Sequence, residues 1–175
     1  MTTSIAVVTL VGNPRSGSRT RALADAAVAE LSARAALDDH RVLELSDIVG
    51  ITFGPEPAVP RAPVADPFAV VRGARLLVVA TPTYKATYTG LLKVFLDRFG
   101  HRELAGVVAV PVAIAASEAH RQSVGAALND LLVELGASVP APPLAVLEPE
   151  AATPADAAAK WAAAHGDAVV AALTG

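Results

Sequence analysis

Short apolar runs recur along the chain, separated by segments with a helical stripe. Ile5–Val11, Arg41–Leu45, Leu76–Thr81, Val107–Ala115 and Leu144–Leu147 read as strands. Most are apolar throughout rather than alternating, as parallel strands covered by helices on both faces should be. Ser18 is placed to cap a first helix whose apolar face is Leu23, Ala27, Val28 and Leu31. Asp66-Pro67 opens a short helix to about Arg72. Leu91, Leu92, Phe95, Leu96 and Phe99 stripe another, with Lys93 and Asp97 paired on its outer side. Glu118 to Leu135 makes a fourth, stopped at Gly136, and about Ala155 to Leu173 a last, anchored by Trp161. This alternation predicts one α/β domain over residues 1–175, doubly wound, with parallel strand order 2-1-3-4-5.

Two places resist the pattern. Pro111 lies inside the fourth strand, where it must forfeit a ladder hydrogen bond and is expected to cause a bulge. Gly54 to Pro67 carries five prolines without periodicity, as a lid or as a plain surface connection.

Composition narrows the function. Hydrophobic residues are 53% and charged residues 18%, so the chain is globular. A formal charge of −3 gives no basic footprint for nucleic acid. The absence of cysteine excludes disulfides, thiolate catalysis and cysteine metal sites. Ile5–Val11 is too short to span a bilayer and lacks a basic leader, so a cytoplasmic protein without a membrane anchor is expected.

In a doubly wound sheet, ligands bind beyond the carboxyl ends of the strands, where strand order reverses. That rule selects three loops. Gly12-Asn13-Pro14-Arg15-Ser16-Gly17-Ser18-Arg19-Thr20 joins a strand to a helix start and combines free backbone N–H groups, hydroxyls and arginines. It suits a phosphate, although a helix cap with solvated arginines fits the same residues. The second loop, after Leu76–Thr81, presents Pro82, Thr83, Tyr84 and Lys85. Amides and a ring there suit a flat heteroaromatic ligand; alternatively, Tyr84 and Tyr88 pack on the helix stripe. The third, Ala115-Ala116-Ser117-Glu118-Ala119-His120, has small residues that admit a ligand edge. His120 fits a proton donor, a phosphate contact or plain polar surface.

Together these loops resemble the NAD(P)H-dependent FMN reductase family, especially the small reductases that supply reduced flavin to two-component monooxygenases. The resemblance rests on G-N-P-R-S-G-S-R-T and on T-P-T-Y-K-A-T-Y-T-G-L-L-K-V-F-L-D. It implies a flavodoxin-like three-layer sandwich, with a five-stranded parallel sheet between helices. It also implies that Arg15, Ser16, Ser18, Arg19 and Thr20 hold the FMN phosphate. Pro82, Thr83, Tyr84 and Lys85 then line the ring and ribityl chain, and Ala116 and Ser117 meet the pyrimidine edge. The implied reaction passes hydride from NADPH or NADH to FMN, and electrons onward to a second flavin, a quinone or another acceptor. The resemblance further implies a homodimer or homotetramer and a possible monooxygenase partner.

One departure is Ala115-Ala116 where the family carries Gly-Gly. The added methyl groups confine the backbone to negative φ, so another loop path is expected. Gly125-Ala126-Ala127 lacks the extra aromatic of relatives that exchange flavin, which favours a retained flavin. The competing readings are a flavodoxin-type electron-transfer protein without direct NAD(P)H activity and a flavin-free phosphate-binding domain.

Overall fold

A computed structural model describes residues 5–48 and 66–175. Strands β1 (Ile5–Val11), β2 (Leu37–Glu44), β3 (Leu76–Pro82), β4 (Val108–Ala115) and β5 (Leu144–Leu147) form one parallel sheet, ordered β2-β1-β3-β4-β5. The expected order is the observed one. The helices are α1 (Arg19–Ser32), α2 (Leu45–Ile48), α3 (Pro67–Arg72), α4 (Gly90–Leu96), α5 (Glu118–Glu134) and α6 (Pro154–Thr174). The proline-rich segment expected as a lid or connection lies outside the described residues as far as position 65.

Side chains alternate across the strands and build a core on each face. Val7, Leu76, Val78 and Ala80 pack with Leu23, Ala27 and Leu31 of α1 and with Trp161 and Val169 of α6. Val8, Leu10, Leu77 and Val79 pack with Leu92 and Phe95 of α4, Val71 of α3 and Leu128 of α5. Phe68 stacks on Phe95 at 4.6 Å, and Phe99 meets both rings edge-on. Both faces of the sheet are therefore covered, which explains the continuous apolar runs.

Two sequence expectations need correction. β2 begins at Leu37, four residues before Arg41. Its first half, Asp38-Asp39-His40-Arg41, is exposed at a sheet edge and carries no apolar signal. Pro111 causes no bulge: the β3–β4 register runs unbroken through Val79 opposite Pro111. The reason is parity. Ala109 N donates to Ser138 O at 2.8 Å, on the β5 side, and Pro111 faces that same side two residues later. There the β5 ladder begins only at Val112 opposite Leu144, so the missing N–H falls in a gap beside Val139-Pro140-Ala141-Pro142-Pro143. The sheet's irregularity is instead at β2, where Asp39 (φ 51°) is the extra residue between partners of Ala6 and Val7.

Gly12 ends β1 at a very close approach to α4. A methyl group built there would lie 2.7 Å from Leu92 Cβ, an atom fixed to the helix backbone. Gly12→Ala is expected to lower stability in urea unfolding by about 1–3 kcal/mol through overpacking. Gly90→Ala, with nothing within 4 Å of its added methyl, is the control and should unfold no earlier than the parent protein.

Candidate functional site

The first and second loops are joined by one residue. Thr89 is 2% exposed and caps α4, its Oγ1 accepting from Leu92 N at 3.1 Å. The same hydroxyl donates to Gly12 O at 2.6 Å, and Thr89 N donates to Thr81 Oγ1 at 3.2 Å. A cap that bonds only its own helix would stabilise α4 alone. This one also fixes the exit of β1 against the exit of β3.

From Gly12 the first loop folds on itself. Asn13 Oδ1 accepts from Arg15 N at 2.9 Å, and its Nδ2 donates to Thr20 Oγ1 at 3.0 Å. Gly17 takes φ 62°, and Ser18 then caps α1 by accepting from Arg21 N at 3.2 Å. Behind the loop stands Glu44 at the end of β2. It accepts from Gly17 N at 2.9 Å and from Ser16 Oγ at 3.0 Å, while Asp47 also lies 3.1 Å from that hydroxyl.

The arginines are unequal. Arg21 is held by Asp25 at 2.7 Å and lies 3.4 Å from Glu44. Arg19 faces Glu148 at 3.9 Å with both side chains more than half exposed, a weak pair. Arg15 makes no ion pair among the described residues. Arg15 and Arg19 therefore remain available to an anion, beside the first N–H groups of α1, which no helical carbonyl can satisfy.

The second loop turns back sharply. Tyr84 N donates to Thr87 O at 2.9 Å and Thr87 N to Tyr84 O at 3.3 Å. Between them Lys85 (φ 52°) and Ala86 (φ 71°) both adopt left-handed backbone, a tight turn made without glycine. Each such residue costs about 1–2 kcal/mol. Thr83 Oγ1 ties the loop to β4 through Ile114 O at 2.8 Å. The two tyrosines part company: Tyr84 is 47% exposed at the sheet's mouth, and Tyr88 packs partly buried against the α4–α5 side of the core.

In the third loop neither Ala115 nor Ala116 has positive φ, so the methyl groups are accommodated without backbone strain. Ser117 caps α5 by accepting from His120 N at 3.3 Å. Hydrogen bonds from Arg121 and Gln122 hold the Glu118 carboxyl below its ordinary range.

The three loops enclose a cleft of about 390 Å³. Of the expected residues, Arg15, Ser16, Ser18, Arg19, Thr20, Pro82, Thr83, Tyr84 and Ala116 line it, as does His120. Lys85 and Ser117 are not among its lining residues. Asn13, Ile114 and Glu148 are, and sequence reasoning passed them over. Asn13 was legible as a turn-forming residue directly after a strand. Glu148 follows β5, a fourth carboxyl-end loop that the switch-point rule leaves out.

A parallel 2-1-3-4-5 sheet, with a cleft at its carboxyl edge between a helix start and an aromatic turn, has the flavodoxin-like fold. A flavodoxin from Streptococcus pneumoniae shares the fold, with a TM-score of 0.55 at 16% identity. Residues 5–152 match the family model described as NADPH-dependent FMN reductase, and the chain belongs to that family. It is 37% identical over 122 residues to the NADH-dependent FMN reductase SfnF of Pseudomonas putida, covering 68% of this chain and 64% of that protein. It is 35% identical over 135 residues to the FMN reductase (NADPH) of Escherichia coli K12, covering 75% and 67%. The chain thus spans about two thirds of the length of these relatives. Among solved structures, an apo NADH:FMN oxidoreductase (EMOB) aligns with a TM-score of 0.72 at 26% identity, covering 98% of this chain and 89% of that one.

Thr89→Val keeps the side-chain shape but removes the cap and leaves Gly12 O without its donor. Thermal or urea unfolding should show a loss of roughly 2–4 kcal/mol, against well under half of that for Thr89→Ser.

Proposed function

We propose that this chain is an NAD(P)H-dependent FMN reductase whose flavin lies in the cleft between the three loops. The observation that carries this reading is their convergence: Arg15 and the weakly paired Arg19 at one end of a single cleft and an exposed tyrosine wall at the other. The donor set fits a phosphate monoester, and the cleft volume is in the range of small cofactor sites.

FMN, when bound, supplies the chemistry: it takes a hydride from the reduced nicotinamide, leaving NAD(P)+, and passes two electrons to a second flavin, a quinone or another acceptor. The protein's part is placement. Arg15, Arg19, Ser18 and the start of α1 hold the phosphate, with Ser16 and Thr20 completing the cradle. Ser16 also bonds the carboxylates of Glu44 and Asp47, so its hydroxyl contributes to loop shape more than to charge. Thr20 is 1% exposed and acts mainly by fixing Asn13. Pro82, Thr83 and Tyr84 line the ring, with Lys85 at the turn's outer corner as a cation for the approaching nucleotide. Ala116 borders the ring edge and Ser117 fixes the start of α5. No side chain is assigned a proton-transfer role.

A homodimer or homotetramer and electron delivery to a monooxygenase belong to the same proposal, as does the action of residues 1–175 as one flavin-binding domain in the cytoplasm. Among the described residues, no helix is long and apolar enough to cross a membrane.

Anaerobic visible spectra with one equivalent of FMN test the reading. Addition of NADPH or NADH should bleach the flavin band far faster than it bleaches free FMN. Bleaching no faster than the free flavin with either nucleotide would sink the assignment. Arg15→Ala should weaken FMN binding roughly tenfold while leaving riboflavin binding nearly unchanged, since only the phosphate contact is lost.

A further inference from the structure

The tight turn bearing Tyr84 has an external support outside the cleft lining. Ser123, one turn beyond His120 on α5, donates from Oγ to Ala86 O at 2.9 Å. Its other acceptor, His120 O on its own helix, is farther, at 3.2 Å. A hydroxyl has one proton, and the shorter contact crosses from α5 to the turn. The acceptor belongs to Ala86, the residue with the more extreme left-handed backbone of the pair. The turn's two internal bonds join only Tyr84 and Thr87, so neither holds Ala86 directly.

We propose that Ser123 is a positioning residue for the aromatic wall: its hydroxyl holds the Lys85-Ala86 turn in its left-handed form, and the turn in turn holds Tyr84 at the cleft. This rests on the reading of the cleft as a flavin site. It explains how a turn with two non-glycine left-handed residues persists at an exposed edge. Strain of that kind is retained where surrounding contacts over-determine the backbone. Thr83 anchors the turn's entry to β4, and Ser123 anchors its tip to α5, so the second loop is tied at two points to the elements that flank the third.

The test compares Ser123→Ala and Ser123→Thr with the parent protein in two assays. In the flavin-free protein, hydrogen exchange of the Tyr84 and Thr87 amides should quicken about fivefold in Ser123→Ala, the loss of one exposed hydrogen bond. With FMN, the dissociation constant should rise by a similar factor of about five, and the bound spectrum should move towards that of free flavin. Ser123→Thr, which keeps the hydroxyl, should restore both, and inorganic phosphate should bind all three proteins alike. Unchanged exchange in Ser123→Ala overturns the proposal. So does faster exchange with FMN affinity and spectrum unaltered, because the turn would then not position the wall. If the parent protein fails to perturb the FMN spectrum, the flavin reading fails and the positioning role with it. Faster exchange would in that case still show that Ser123 holds the turn.

Discussion

Three hydrogen bonds of the buried Thr89 hold the site together. Its hydroxyl accepts from Leu92 N to start α4 and donates to Gly12 O at the head of the first loop, while its amide donates to Thr81 Oγ1 at the end of β3. Gly12 must then lie so close to Leu92 that no side chain fits between them. The first loop and the aromatic turn are thus positioned from a common point under both. A cleft assembled from separate loops keeps its shape only if the loops share such an origin, because each is otherwise free to move with its own helix.

Charge at the first loop is smaller than the run of arginines implies. Asp25 and Glu44 take up Arg21, Glu148 shadows Arg19, and the Ser16 hydroxyl and Gly17 amide are held by carboxylates. The loop thus offers directed donors rather than a broad positive field, which salt would screen. Glu44 also satisfies the Gly17 amide and so braces the loop from behind.

The fold was legible because both faces of the sheet are buried, so each inner strand wrote itself as an apolar run between capped helices. β2 was legible only in its second half: Asp38 to Arg41 lie at an edge, where water accepts any side chain. Pro111 misled because the ladder rule holds only where a partner strand stands opposite, and a sequence does not say where β5 begins. At the site, the loops were readable from residue types and their place after strands. The division of labour within them was not. The separate fates of Tyr84 and Tyr88, the capture of Arg21, and the entry of Glu148 all depend on which side chains meet across the sheet.

The extra residue at Asp39 reaches further than its position suggests. Because β2 gains one place on β1 there, Leu43 lies opposite Leu10 and Glu44 opposite Val11. An unbroken ladder from Ile5 would bring Leu43 level with Val11 instead, and would turn β2 over, face for face. The acidic support of the first loop is therefore specified by a count of residues roughly 16 Å away, five strand positions back along an exposed edge. Evolution can rewrite the chemistry beside the cleft by an insertion or deletion at that remote end, with no substitution near the cleft at all.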